Sequence, residues 1–175
     1  CLNKITISSK HLLSLINEVL DMSKIESGKI DLAEEEFSIS DLIQNLLTMV
    51  RPNMQAKNHK IELNIAKVEH EDVIGDVMRL QQVFMNILGN AVKYTPPGGT
   101  LELEITEKES KSFGYGCYEF VFRDNGIGMS EEFVRKIFEP FSRAEDSRIS
   151  KIEGTGLGMA IALNIVRMMN GNITV

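Results

Sequence analysis

Two asparagines and a lysine on one predicted helix have the chemistry of a site for a metal-bound phosphate. Asn86 and Asn90 are four residues apart and Lys93 follows three residues later, so all three lie on one face of a helix. Amide oxygens are ligands that Mg²⁺ accepts, and the lysine ammonium can neutralise phosphate charge. Taken alone, the pattern is equally typical of a solvated polar face.

A second segment, Asp124-Asn125-Gly126-Ile127-Gly128, directly follows a predicted strand. A carboxylate at the end of a strand can accept a hydrogen bond from an exocyclic amine, and the glycines let a flat ring approach the backbone. Asp-Asn-Gly is also a common reverse-turn sequence. For this segment alone, a turn is the better interpretation.

A third segment, Gly154-Thr155-Gly156-Leu157-Gly158, opens a predicted helix. Backbone N–H groups at a helix N-terminus bind phosphate oxygens with help from the helix dipole. The spacing matches neither the Walker loop nor the Rossmann fingerprint, and a flexible cap in front of a helix is the alternative interpretation.

The segment from Phe138 to Glu153 has the composition of a mobile lid. Phe138 and Phe141 are predicted to anchor it, and a charged stretch with few apolar residues follows. Its cations, which a lid could place over a triphosphate, are Arg143, Arg148 and Lys151. A solvated surface charge is the better interpretation of Arg148.

Helices and strands are predicted to alternate around these segments. Ser40-Asp41 is predicted to cap the second helix, and Asp76 precedes the third. Periodicity and turn signals predict helices over 3–26, 40–57, 77–94, 130–138 and 156–169, and strands near Glu35–Ser38, Ile61–Ile65, Leu101–Ile105, Tyr118–Phe122 and Ile173–Val175. The predicted fold is an α/β (α+β) two-layer sandwich, a mixed β-sheet with helices on one face, preceded by a helical stalk.

The bulk composition is that of a soluble globular domain. The 175 residues include 43% hydrophobic and 25% charged residues and carry a net charge of −6, which argues against a nucleic-acid surface. No apolar run reaches the roughly 20 residues of a membrane span. The two cysteines fit no metal spacing and are expected to be unpaired thiols. A chain that begins at Cys1 is interpreted as a piece of a longer protein.

In this order, the motifs resemble the N, G1, F and G2 boxes of sensor histidine kinases. These kinases share a superfamily with type II topoisomerases, the large heat-shock chaperone and mismatch-repair ATPases. The resemblance runs from about Asp76 to Val175, and the segment from His11 to Lys29 resembles the second helix of the family's dimerisation hairpin. The predicted domains are therefore a partial hairpin at 1–28 and a catalytic ATP-binding domain of the Bergerat fold at 29–175.

The resemblance implies ATP and Mg²⁺ as ligands and gives each motif residue a role. Asn90 would coordinate Mg²⁺, with Asn86 beside it near the phosphates. Asp124 would bind the adenine amino group, and Tyr94 would pack near the nucleotide. The remaining roles are phosphate contact by Lys93, the adenine slot at Gly126 and Gly128, the lid hinge and phosphates at Gly154, Thr155, Gly156, Leu157 and Gly158, and a lid cation near the γ-phosphate at Arg143.

The sequence departs from the family at the phosphoacceptor box. The family's histidine, followed by an acid and soon by a proline, is absent: His11 has no acid after it, and His70-Glu71 lies in a predicted loop without the proline. We therefore expect this chain to bind ATP without phosphorylating itself. The chain also ends at the first strand of what is usually a closing hairpin, which predicts an exposed sheet edge.

The resemblance implies a catalytic domain that transfers the γ-phosphoryl group of ATP to a histidine outside this chain. It further implies a response-regulator receiver domain as the next acceptor, a homodimer formed by the hairpin of the parent protein, and a cytoplasmic location. Three alternatives stay open: a regulatory module that binds ATP without transfer, an ATPase clamp of the same superfamily, and a Ser/Thr-directed relative such as an anti-sigma kinase.

Overall fold

The computed structural model describes residues 2–28, 31–110, 112–143 and 154–175. In chain order the elements are α1 (Leu2–Glu26), β1 (Glu35–Ser38), α2 (Ile39–Ala56), β2 (Lys60–Ala66), β3 (Asp72–Gly75), α3 (Val77–Tyr94), β4 (Thr100–Lys108), β5 (Cys117–Asp124), α4 (Glu131–Lys136) and α5 (Gly158–Met168). They form two compact units, Ala33–Gly128 and Cys1–Leu32 with Met129–Val175.

The unit Ala33–Gly128 is built on a three-stranded mixed sheet. The strand order is β2-β4-β5, with β2 parallel and β5 antiparallel to β4. Leu101, Leu103 and Ile105 alternate along β4 and are at most 1% exposed, because this face of the sheet is covered by helices. The Phe84 ring of α3 lies 4.6 Å from Phe120 and 5.6 Å from Phe122, centroid to centroid. The predicted mixed sheet under helices is confirmed.

A second, two-stranded sheet joins β1 to β3 in antiparallel register, with Phe37 opposite Val73. The strand β3 was not predicted from the sequence. Its four residues, Asp72 to Gly75, are too few to show an alternating pattern. Its partner β1 is distant in the chain, so only the folded structure reveals the pairing.

The N-cap of α2 differs from the prediction. Ser38, in extended conformation, accepts the Asp41 backbone N–H, and the helix begins at Ile39. Ser40 is already helical, and its hydroxyl donates to Glu71 Oε2 at 2.8 Å. Since a capping residue must lie outside the helical dihedral region, Ser40 and Asp41 are not the caps. Pro52 lies within the helix.

The other unit contains α1, α4 and α5. Asn164 Nδ2 of α5 donates to Met22 Sδ of α1 at 3.7 Å. The start of α5 is later than predicted, at Gly158, because Gly156 has a φ of +77° that no helix accommodates. Helix α4 ends at Lys136, before the predicted Phe138.

The predicted strand at Ile173–Val175 is wrong, because residues 171–175 have no strand conformation. The chain instead leaves α5 through a tight turn in which Asn170 has a φ of +59° and the Gly171 N–H donates to the Val166 carbonyl at 2.8 Å. This turn satisfies a carbonyl at the end of α5. Among the described helices, none is long and apolar enough to cross a membrane.

Candidate functional site

The polar face of α3 carries the first group of predicted site residues. The Asp76 carboxylate caps this helix by accepting the Arg79 N–H at 2.9 Å. Asn86, Asn90 and Lys93 are partly exposed, whereas the apolar face of the helix, including Val83 and Leu88, is buried. The resulting face offers amide oxygens and a cation together.

Lys93 and Tyr94 make a second feature at the end of the helix. The Lys93 ammonium lies 4.9 Å from the centroid of the Tyr94 ring, which is the geometry of a cation–π contact. The ring therefore holds a positive charge one turn beyond Asn90.

The C-terminus of α3 is fixed by Lys57, which the sequence analysis did not single out. Its Nζ donates to the carbonyls of Val92 and Lys93, both at 2.8 Å, and of Thr95 at 3.1 Å. These are carbonyls that a helix end leaves without partners. A cation at this end also interacts favourably with the helix dipole, whose negative end is here. No short sequence motif marks such a contact, because more than 30 residues separate Lys57 from the carbonyls.

The Asp124 loop is hydrogen-bonded to the same helix end. Asp124 Oδ1 accepts the Gly126 N–H at 2.8 Å and is 3.5 Å from the hydroxyl of Thr95, a side chain that is 1% exposed. The Ile127 N–H donates to the Tyr94 carbonyl at 3.3 Å. Asp124 itself is exposed. A carboxyl group that can accept a hydrogen bond is thus presented at the end of β5 beside the end of α3.

Gly126 is required by this close approach. A Cβ at this position would lie 2.5 Å from Asp124 Oδ1 and 2.9 Å from the Tyr94 carbonyl oxygen. Gly128 has a φ of +68°, and no atom of the described residues lies within 4 Å of a Cβ placed on it. The backbone conformation, and not steric crowding, therefore requires glycine here. Asn125 turns toward the sheet, where its Oδ1 accepts the Thr100 N–H at 2.8 Å.

The glycine-rich segment before α5 lies in the other unit. A Cβ on Gly156 would come within 2.7 Å of the Phe141 carbonyl carbon and 2.8 Å of the Ser142 carbonyl oxygen. The Phe141 N–H donates to the Gly156 carbonyl at 3.0 Å. The Thr155 hydroxyl donates to Glu18 Oε2 of α1 at 2.5 Å and accepts the Leu157 N–H at 3.2 Å.

The structure corrects one expectation for the lid. Phe141 was predicted to anchor it, but its side chain is 64% exposed and its φ is +64°. The backbone N–H of Phe141 is hydrogen-bonded to Gly156, whereas its ring is exposed. Arg143 is exposed, whereas Arg148 and Lys151 lie outside the described residues.

The predicted site residues thus fall into two groups, one in each unit. The unit Ala33–Gly128 contains Asn86, Asn90, Lys93, Tyr94, Asp124, Gly126 and Gly128, and the other unit contains Arg143, Gly154, Thr155, Gly156, Leu157 and Gly158. Within the first unit, hydrogen bonds join the Asp124 loop to the end of α3 next to Lys93. In the described part of the chain, no set of His, Cys, Asp and Glu side chains has metal-ligand geometry.

His70, the histidine that is followed by an acid, Glu71, forms an ion pair outside this site. Its Nδ1 lies 2.7 Å from Glu107 Oε1, and the hydrogen bond to Glu107 raises the pKa of His70. The Glu107 carboxylate also accepts the backbone N–H groups of His70 at 2.9 Å and Glu69 at 2.7 Å, which lowers the pKa of Glu107. The carboxylate thereby ties the loop before β3 to β4.

Comparison with known proteins shows to which family the chain belongs. The profile of the histidine kinase-, DNA gyrase B-, and HSP90-like ATPases matches residues 75–175. The chain is 36% identical over 172 residues to the sensor protein GacS of Pseudomonas syringae pv. syringae, covering 96% of this chain and 18% of that protein. It is 36% identical over 173 residues to the signal transduction histidine-protein kinase BarA of Escherichia coli K12, covering 99% of this chain and 19% of BarA.

A solved structure shows the same architecture. The crystal structure of full-length ShkA in complex with AMPPNP superposes with a TM-score of 0.78 at 26% identity, over 96% of this chain and 33% of ShkA. The matched segment 75–175 begins just before α3 and contains the Asp124 loop and the glycine-rich segment. The chain therefore belongs to the histidine kinase-, DNA gyrase B-, and HSP90-like ATPase family.

Proposed function

We propose that this chain is the catalytic ATP-binding domain of a sensor histidine kinase, and that Asp124, Asn86, Asn90 and Lys93 hold the nucleotide. The observation that carries the proposal is the Asp124 carboxylate, oriented by the Gly126 N–H at 2.8 Å at the junction of β5 with the end of α3. The proposal is supported by the sensor protein GacS and the signal transduction histidine-protein kinase BarA, whose matches cover 96% and 99% of this chain.

Asp124 would recognise adenine. A carboxylate accepts hydrogen bonds only, so it selects the exocyclic amino group of adenine over the carbonyl that guanine carries at the same ring position. Among the described residues, no atom lies within 4 Å of a Cβ placed on Gly128, and this open space would admit a flat ring beside the loop.

The polar face of α3 would bind the triphosphate with Mg²⁺. Asn90 offers an amide oxygen, which suits a hard cation that retains water and phosphate oxygens in its shell. Asn86 lies one turn before it on the same face, and the Lys93 ammonium would neutralise phosphate charge. Bound Mg²⁺ would supply Lewis-acid stabilisation of charge on the phosphates. In the other unit, Gly154, Thr155, Gly156, Leu157 and Gly158 would bind phosphate through backbone N–H groups at the start of α5, and Arg143 would approach the γ-phosphate.

The acceptor of the γ-phosphoryl group would be a histidine outside this chain. His70 is engaged with Glu107, and no acid–proline pattern follows His11. Catalysis by this domain would consist mainly of positioning ATP and offsetting its charge. A receiver domain would take the phosphoryl group next; the related kinase ThkA, 23% identical to this chain, has been crystallised in complex with the response regulator TrrA.

Helix α1 would pair with other helices in a dimer of the parent protein. Five of its large apolar side chains are exposed: Leu12 59%, Leu13 60%, Ile16 48%, Val19 46% and Leu20 51%. A helix with such a stripe requires a partner surface to bury it.

Competition binding with a fluorescent ATP analogue tests the proposal. We expect displacement by ATP that depends on Mg²⁺, and displacement by GTP that is at least about tenfold weaker, because the C6 carbonyl of guanine cannot donate to Asp124 as the adenine amino group does. Equal displacement by ATP and GTP would reject Asp124 as the base-recognising residue. The absence of ATP binding by the folded chain would reject the proposed function.

A further inference from the structure

We propose that the free edge of β2 is a docking site for an extended peptide segment that adds antiparallel to the sheet, with apolar side chains at alternate positions and an acidic C-terminal end. The strand β2 is at the edge of its sheet, and among the described residues it pairs only with β4. Alternate backbone groups along its seven residues therefore point away from the sheet. Such an edge is a template for another strand.

One face of this edge strand has an apolar row of three side chains. Ile61, Leu63 and Ile65 alternate on β2, in register with the buried Leu101, Leu103 and Ile105 of β4. The helix-covered face of the sheet thus continues onto the edge strand. Leu63 is nevertheless 43% and Ile65 45% exposed, because the helices cover only part of the strand. An added strand with apolar residues opposite these positions would complete that cover.

A shallow pocket lies at the N-terminal end of the same strand. It has a volume of about 260 Å³ and is lined by Leu47, Arg51, Met54, Gln55, His59 and Ile61. The His59 ring is fixed there, since its Nε2 lies 3.0 Å from the Pro96 carbonyl oxygen and 3.2 Å from that of Thr95. A side chain of the incoming strand opposite Ile61 would enter this pocket.

Charge selects the end group of a segment that adds antiparallel to β2. Arg51 borders the pocket, and Lys60 begins β2 beside it. Both are exposed, and in the described part of the chain neither forms an ion pair with a carboxylate within 4.0 Å. An antiparallel strand ends where β2 begins, so its C-terminal residues would face these cations. Acidic residues there would meet complementary charge.

Hydrogen exchange with a defined probe tests the proposal. The probe is a synthetic peptide that alternates Val with Thr and ends in Asp-Asp; the comparison peptide ends in Lys-Lys. We expect the first peptide to slow amide exchange specifically in β2, because pairing shields backbone N–H groups. Slowed exchange only elsewhere, or none at millimolar peptide, would overturn the proposal.

Variants separate edge pairing from loose apolar contact. Leu63→Asn with Ile65→Asn should weaken peptide binding by about tenfold or more, whereas Glu62→Gln with Asn64→Gln, on the opposite face of β2, should change it by less than about twofold. Unchanged exchange in β4 would show that each variant is folded.

Arg51→Glu provides a test that leaves the apolar row intact. At low salt it should weaken binding of the Asp-ended peptide roughly fivefold and favour the Lys-ended peptide. Equal binding of both peptides by the unmodified chain would overturn the charge assignment. Self-association of the chain through β2 in sedimentation, without peptide binding, would overturn the proposed occupant in favour of a second copy.

Discussion

Asp124 Oδ1 accepts the Gly126 backbone N–H at 2.8 Å, so the carboxylate is oriented by the loop that follows it. The same loop is tied to α3 through the bond from the Ile127 N–H to the Tyr94 carbonyl. An acid held in this way loses little side-chain freedom when it binds a ligand, which favours recognition of a hydrogen-bond donor.

Gly126→Ala should destabilise the chain and weaken nucleotide binding together. Its Cβ would lie 2.5 Å from Asp124 Oδ1 and 2.9 Å from the Tyr94 carbonyl oxygen. Moving the loop away would cost about 1–3 kcal/mol of unfolding free energy, measured by urea denaturation. Gly89→Ala is the matched control, because in the described part of the chain no atom outside the local backbone of α3 lies within 4 Å of its Cβ position, and the change should raise the unfolding free energy by about 0.5–1 kcal/mol. Equal effects of the two changes would contradict the steric argument.

Lys57→Met should reduce the unfolding free energy by about 1.5–3 kcal/mol, because three carbonyls at the end of α3 lose a charged donor. The measurement is again chemical denaturation. Lys60→Met is the control, since Lys60 is exposed and should tolerate the change within about 0.5 kcal/mol. If Lys57→Met lowered the unfolding free energy no more than Lys60→Met, water would be replacing the hydrogen bonds of Lys57 to the end of α3.

The ion pair of His70 with Glu107 predicts a pH dependence of stability. The folded pKa of His70 is raised above 6.5, so its contribution is fully present below pH 6.5 and is lost as pH rises through the folded value. The folded pKa of Glu107 is lowered below 4.5, so its contribution is present above pH 4.5 and is lost as pH falls through the folded value.

Between those limits the pair contributes most. Urea unfolding of the unmodified chain and of His70→Gln across pH 5 to 9 should therefore converge toward high pH. An NMR titration of the His70 ring checks the sign directly. A midpoint below 6.5 would contradict the hydrogen bond to Glu107.

Glu18 and Thr155 should be energetically coupled, because the Thr155 hydroxyl donates to Glu18 Oε2. A double-mutant cycle with Glu18→Gln and Thr155→Val measures this, and we expect a coupling of about 0.5–2 kcal/mol in unfolding free energy. The control pair combines Thr155→Val with Asn17→Ala, since Asn17 is an exposed neighbour on α1. A coupling near zero for Glu18 would mean that the contact is not maintained in solution.

Elements with long periodic patterns were predictable from the sequence. Helix α3 has the predicted bounds of Val77–Tyr94, because an acidic cap, a continuous apolar face and a following proline all agree. The three strands of the mixed sheet were found from alternation. The short strand β3 was missed, and the strand predicted at 173–175 is absent. Whether so few residues form a strand depends on a partner that is distant in the chain.

The candidate site was predicted from short local motifs. Asp124 and Gly126 were identified from one loop, and the structure adds the steric reason for the glycine. Lys57 and Thr95 were missed, because one caps a helix end distant in the chain and the other is a buried hydroxyl between two motifs. Neither role has a signature in consecutive residues.

Calorimetric titration of the chain with ATP and Mg²⁺ tests the central claim most directly, performed on the unmodified chain and on Asp124→Asn. The amide keeps the size of the side chain but loses the negative charge, so we expect affinity to fall about tenfold or more. Glu119→Gln, on the same strand and paired with Lys108 at 2.9 Å, should bind ATP like the unmodified chain. Binding that is unchanged in Asp124→Asn, or equally weakened in Glu119→Gln, would contradict the account.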